Sequence, residues 1–205
     1  MTYIKTDVPQ PGIVELLFYK GPTGKALSRL AHTLLHGPSP LSKGERELIA
    51  AHVSSLNGCE FCFESHSASA SAHFDDEGRT LRLYRADPGK VPLTTKMLRL
   101  LEVAAKVQQG GKMVKQADVE AARQAGATDE ELHDTVLVAA AFSMYNRYVD
   151  GLRSSLPANS EDYIGMGKRM ATKGYKYPPL FLRRFVVRSM RKAKNKIALK
   201  ESERD

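Results

Sequence analysis

Apolar residues recur at every third or fourth position along most of this chain, and that spacing restricts it to helices packed against helices. Leu27, Leu30, Ala31, Leu34 and Leu35 follow it within residues 23–36, and Met97, Leu100, Leu101, Ala104 and Val107 follow it within residues 94–109. Signals with the two-residue alternation of a strand are weak. The best, Phe185-Val186-Val187, sits inside a helical pattern. Trp is absent and aromatic residues make up only 7% of the sequence, while 205 residues at 42% hydrophobic content are enough to bury a full core. The expected fold class is therefore all-α, a helical bundle.

Local signals divide the bundle. Residues 1–12 carry Pro9 and Pro11 and read as an extended arm, followed by a short helix over Ile13–Tyr19 that Gly21-Pro22 stops. Gly37-Pro38-Ser39-Pro40 breaks the next helix. Ser42 with Glu45, and Thr128 with Glu131, have capping-box spacing and open two more, the first ending at Asn57-Gly58 and the second running to about Leu152. Within the second, the continuous apolar run 136–141 is expected to be buried. A helix is expected over Gln116–Gln124, with Gly126 at its C-terminal cap. Residues 73–90 read as a polar loop with room for a short helix, and the stretch beyond Pro157 as an irregular segment laid over the surface.

Charge is unevenly distributed. The chain carries +8 with a pI near 9.5, yet residues 183–205 hold nine Lys/Arg against three Asp/Glu and so account for +6 of it. Leu182, Val186, Met190, Ala193 and Ile197 recur there at helical spacing. This is a basic amphipathic helix, expected to dock on its own or a neighbouring subunit. The division expected is a helical domain over 1–180 and a basic helix or tail over 181–205. No aromatic-interleaved basic patch marks a nucleic-acid site. No apolar run of about 18 residues predicts a membrane span, and the N-terminal residues lack the layout of a signal peptide, so a cytoplasmic location is expected.

Both cysteines fall within one short stretch, Cys59 and Cys62, with His66 four residues beyond. If a helix starts near Cys59, residues 59, 62 and 66 share one face. Two thiols one turn apart can close a disulfide, and the first turn of a helix favours a thiolate. His66 can hold or pass on a proton near neutral pH. The preceding helix carries Glu45 and Glu47, either of which can face the thiols if that helix folds back. A reducing compartment makes such a pair catalytic or metal-binding rather than a staple. A zinc site of Cys59, Cys62, His66 and Glu47 is the competing arrangement, belonging to a non-enzymatic zinc-binding or redox-sensing protein.

Residues 41–66, with a glutamate, eleven intervening residues and then C-x-x-C-x-x-x-H, resemble the carboxymuconolactone decarboxylase/alkylhydroperoxidase-D-like superfamily, and more narrowly its peroxidase-related branch. The motif selects Glu47, Cys59, Cys62 and His66, and residues 139–152 resemble the branch's second-half helix. The resemblance implies a thiol-dependent peroxidase or disulfide reductase. In that chemistry Cys62 attacks hydrogen peroxide or a small organic hydroperoxide, Cys59 resolves the sulfenic acid, and Glu47 with His66 relays protons. It also implies a dithiol protein or small thiol as reductant and self-association, commonly as trimers or hexamers. Neither a cofactor nor a metal is needed. One position departs from the best-known members, which carry a histidine just before the second cysteine where this chain has Phe61. Members that decarboxylate lack the cysteine pair, so decarboxylation is not expected.

Overall fold

A computed structural model describes residues 2–6, 8, 10–74 and 92–202, with side chains described as far as Lys192. Among these residues every regular element is helical: α1 (Ile13–Tyr19), α2 (Gly21–His36), α3 (Lys43–Leu56), α4 (Glu60–Phe74), α5 (Thr95–Gln109), α6 (Gln116–Gln124), α7 (Asp129–Gly151), α8 (Glu161–Lys173) and α9 (Arg183–Ser202). Two 3-10 turns, Gly111–Met113 and Leu180–Leu182, precede α6 and α9. No helix of the described residues is long and apolar enough to cross a membrane.

The helix starts follow their sequence signals. Ser42 and Glu45 form a reciprocal capping box at α3, each side chain bonded to the other's backbone N–H at 3.2 and 2.8 Å. Thr128 and Glu131 do the same at α7, with bonds of 3.1 and 2.8 Å. Gly21-Pro22, expected to end a helix, instead opens one: Lys20 alone separates α1 from α2, and Pro22 occupies the first turn, where its missing N–H costs nothing.

The main core lies between α3, α5 and α7, where Ile49, Val53, Leu100, Val103 and Val138 are fully buried. Only part of the run 136–141 joins it. Val138, Ala139 and Ala141 are buried, whereas Val136 is 38% and Leu137 40% exposed, because a helix turns each successive residue by about 100° and cannot bury six in a row against one side.

Residues beyond Pro157 are not irregular, as the sequence predicts, but form α8, which lies along α4. The two helices approach closely because both faces are small. A Cβ on Gly167 would lie 2.5 Å from the backbone carbonyl carbon of Ala68. We expect Gly167→Ala to force these helices apart at a cost of about 1–3 kcal/mol, read as a lower urea midpoint.

At the other end, α9 docks by its first turns. Val187 is buried with Val8 and Phe18, and the Arg183 guanidinium donates to the carbonyls of Phe18 (2.7 Å) and Tyr19 (3.0 Å) at the end of α1. Ala193 and Ile197 lie beyond the described side chains. Apart from His73 and Phe74, which close α4, the loop expected over 73–90 lies outside the described residues. The N-terminal arm is pinned to the α7–α8 connection. The Tyr3 and Gly12 N–H groups donate to the carbonyls of Leu152 and Ser155, and buried Glu15 accepts from the Ser155 N–H at 2.8 Å.

Candidate functional site

The turn between α3 and α4 places the cysteines. Gly58 adopts φ +71°, a left-handed conformation that glycine reaches without penalty, and the Cys59 N–H then donates to the Ser54 carbonyl at 3.0 Å. Cys59 immediately precedes α4 and accepts its first helical bond, from the Phe63 N–H at 2.9 Å. Cys62 and His66 follow on the first two turns, as the spacing predicts.

Buried amides fix this turn to α7. Asn146 donates to Ser54 Oγ (3.0 Å) and its side-chain oxygen accepts from Asn57 Nδ2 (2.8 Å), while Gln108 Nε2 donates to Asn57 Oδ1 (2.9 Å). Asn146 is 1% exposed, and its removal takes a donor from fully buried Ser54 and an acceptor from half-buried Asn57. Asn146→Ala is expected to cost about 1–3 kcal/mol in denaturant unfolding and to make the two thiols react faster with an alkylating reagent. Its sequence neighbours do not join the network: Arg147 is exposed and bonds the Ser143 carbonyl, and the Tyr148 hydroxyl reaches the Leu16 carbonyl at 3.4 Å.

Between Glu45 and Glu47, the fold selects Glu47. Glu45 is occupied in the helix cap, whereas Glu47 is fully buried and its Oε2 lies 2.7 Å from His66 Nδ1. A carboxylate accepting the Nδ1 proton leaves Nε2 as the basic nitrogen. The His66 ring is held edge-on to Phe142 (centroids 4.5 Å apart) and stacked on Tyr175 (5.9 Å).

Tyr175 is the member of this group that sequence reading missed, since it arrives from the connection after α8, over a hundred residues away. Its hydroxyl donates to Glu47 Oε1 at 2.6 Å and lies 3.3 Å from His66 Nδ1. Burial first, and then the Glu47 charge, push its pKa well above the usual phenol value, so it keeps its proton and acts as a donor. Phe61 packs on Gly12 and Tyr163 (ring centroids 6.0 Å apart) and offers no proton.

The sulfurs differ in their surroundings. Both are free thiols and both are buried. Cys62 lies on the wall of a cavity of about 140 Å³ together with His66, Phe142, Tyr145, Tyr175 and Met166, and Cys59 is not part of that wall. The hydrogen bond with Cys62 and then burial raise the Cys59 pKa far above the thiol range, so Cys59 stays protonated behind Cys62.

The four residues of the competing zinc arrangement do not converge as a ligand set. Among the described residues, the His/Cys/Asp/Glu group whose ligand atoms all fall within 4.8 Å of one another is His36, Glu47 and His73.

The model of the carboxymuconolactone decarboxylase family matches residues 22–75, the segment from α2 to the end of α4 that contains Glu47, both cysteines and His66. Two solved structures share the fold. One is a peroxidase-related protein from Silicibacter sp. TM1040, 27% identical over 77% of this chain and 80% of that one, with a TM-score of 0.68. The other, from Ralstonia eutropha JMP134, is described as an alkylhydroperoxidase AhpD core and peroxidase-related protein; it is 25% identical over 77% of this chain and 81% of that one, with a TM-score of 0.69. No curated protein matches the sequence. The family match over α2 to α4 and the fold shared with these two structures support the carboxymuconolactone decarboxylase/alkylhydroperoxidase-D-like superfamily for this chain.

Proposed function

We propose that the protein is a thiol peroxidase of the peroxidase-related branch, which reduces small apolar hydroperoxides at Cys62 and is itself reduced by a dithiol. The observation that carries this reading is that Cys62 and His66 share the wall of one apolar cavity, with Glu47 bonded to the far side of the imidazole. The descriptions of the two structural neighbours as peroxidase-related support it.

In this reading the Cys62 proton passes to His66 Nε2, and the imidazolium is held by Glu47. The thiolate attacks the distal oxygen of ROOH. The O–O bond breaks, Cys62 becomes a sulfenic acid, and the alkoxide takes the proton from His66 to leave as ROH. The Cys59 sulfur then attacks the Cys62 sulfur, its proton leaves with the sulfenic hydroxyl as water, and a disulfide forms. A dithiol reductant returns both sulfurs to thiols and leaves as its own disulfide. Tyr175, donating to Glu47, fixes the carboxylate that orients His66.

Cavity size sets the substrate class. An apolar cavity of about 150 Å³ takes up a molecule the size of benzene, so a space of about 140 Å³ suits a hydroperoxide with a short alkyl or aryl group.

The test is to add such a hydroperoxide to the fully reduced protein, then count free thiols and measure intact mass. Both thiols are expected to disappear with the loss of two hydrogen atoms' mass, and a dithiol should restore them. Survival of both thiols under excess hydroperoxide would overturn the reading.

A further inference from the structure

Beside the proposed redox site, outside the residues that line its cavity, lies a group of imidazoles that the proposed chemistry does not use. His36 is the last residue of α2 and His73 lies in the last turn of α4. His36 is brought to Glu47 by Arg46, whose buried guanidinium donates to the carbonyls of Leu34 (2.7 Å) and Gly37 (3.0 Å) and so ties the end of α2 to α3, and His73 by the packing of α4 along α3.

We infer that His36, Glu47 and His73 form a binding site for a divalent ion of the zinc type. Nε2 of His36 and Nε2 of His73 are both shut off from solvent, and neither has a hydrogen-bond partner among the described residues. Buried ring nitrogens rarely stay unpaired, and two of them in one group with a buried carboxylate supply three of the four ligands of a tetrahedral ion. Ligands about 2.0 Å from a tetrahedral ion lie about 3.3 Å from each other. From a spread of 4.8 Å, the ligand atoms therefore close on one another by at most about 1.5 Å, a matter of side-chain rotation.

Burial lowers the pKa of both histidines, that of His36 to about 4. Glu47 opposes that shift, while Lys43 reinforces it at both rings, His32 and His73 at His36, and Arg46 at His73. His32 is not a ligand in this arrangement. Its ring stacks on His36 at 5.4 Å and its Nδ1 accepts the Tyr175 N–H at 3.3 Å, so it orients the His36 imidazole. The donor set, two imidazoles and one carboxylate, selects zinc over the hard cations, which prefer oxygen.

The site has a consequence that rests on the peroxidase reading, although the site itself does not. Glu47 is at once the metal ligand and the partner of His66. An ion that draws on the carboxylate weakens its hold on the imidazole, so bound zinc slows oxidation of Cys62.

The experiment titrates zinc into the reduced full-length chain against a chromophoric chelator, with His36→Gln, His73→Gln and Cys62→Ser variants checked for fold by circular dichroism. Zinc is expected to bind at one ion per chain, about tenfold or more weaker in either histidine variant, and unchanged in Cys62→Ser. Cobalt in place of zinc should give visible d–d bands without the near-ultraviolet band of thiolate ligation. Absence of stoichiometric binding, binding indifferent to both histidines, or a thiolate band lost in Cys62→Ser would each overturn the site. Zinc should slow peroxide-driven thiol loss in the wild type and not in His73→Gln. Equal rates with and without bound zinc would overturn the coupling, and a protein whose thiols ignore peroxide but which still binds cobalt through nitrogen and oxygen would separate failure of the enzymatic reading from that of the metal site.

Discussion

Cys62→Ser is expected to reduce hydroperoxide consumption to background, a loss on the order of a thousandfold or more, whereas Cys59→Ser should complete one turnover and stop. The asymmetry follows from position. Cys62 borders the cavity beside His66, so a hydroperoxide oxygen can reach its sulfur and the imidazole can take its proton. Cys59 is 1% exposed, lies behind Cys62 and holds its proton strongly, which makes it a poor attacker of the substrate and a well-placed resolver. Trapping with a dimedone-type reagent should therefore label Cys62 in the Cys59→Ser variant and nothing in Cys62→Ser. Labelling of Cys59 in the Cys62→Ser protein would reverse the two roles.

Glu47→Gln carries the second large effect, a fall of roughly a hundredfold to ten-thousandfold in the rate of Cys62 oxidation. Glutamine keeps the volume and one acceptor but brings no charge to hold an imidazolium, and the buried pair at 2.7 Å is where that charge counts. The Glu47 charge is one of the causes that raise the Tyr175 pKa, so the variant should ionise Tyr175 at lower pH in an ultraviolet titration, though burial still holds it above the ordinary value. A rate within threefold of wild type would remove Glu47 from the proton pathway.

The parts of this site that could be read from the sequence are those whose geometry is local. Ser42 and Thr128 announce their helices because a cap is an interaction over three residues. Cys62 and His66 lie on one face because they are four apart on a single helix, and the distance from Glu47 to the cysteines spans one helix and one tight turn. Tyr175 and His36 could not be found in this way. Each reaches Glu47 only through tertiary packing: Tyr175 through α8 lying along α4, and His36 through the Arg46 clasp. The helix α8 itself was hidden by Gly165 and Gly167, which weaken a helix in isolation; Gly167 here permits its close approach to Ala68. Exposure of Val136 and Leu137 was likewise not legible, because composition cannot say which side of a long apolar helix faces the core.

The clamp on the cysteine turn bears on what a change of oxidation state can communicate. Asn57, Gly58 and Cys59 are bonded back to α3 and, through Asn146, to α7, so the backbone around the sulfurs is held on two sides. A redox sensor needs the opposite construction, a thiol pair on a segment free to rearrange, so that the outer surface reports what has happened inside. In the proposed cycle the chemical event is confined to side chains within a rigid frame. Oxidised and reduced protein should then present the same face to any partner, and peroxide is registered as oxidation of the dithiol reductant rather than as a change of shape.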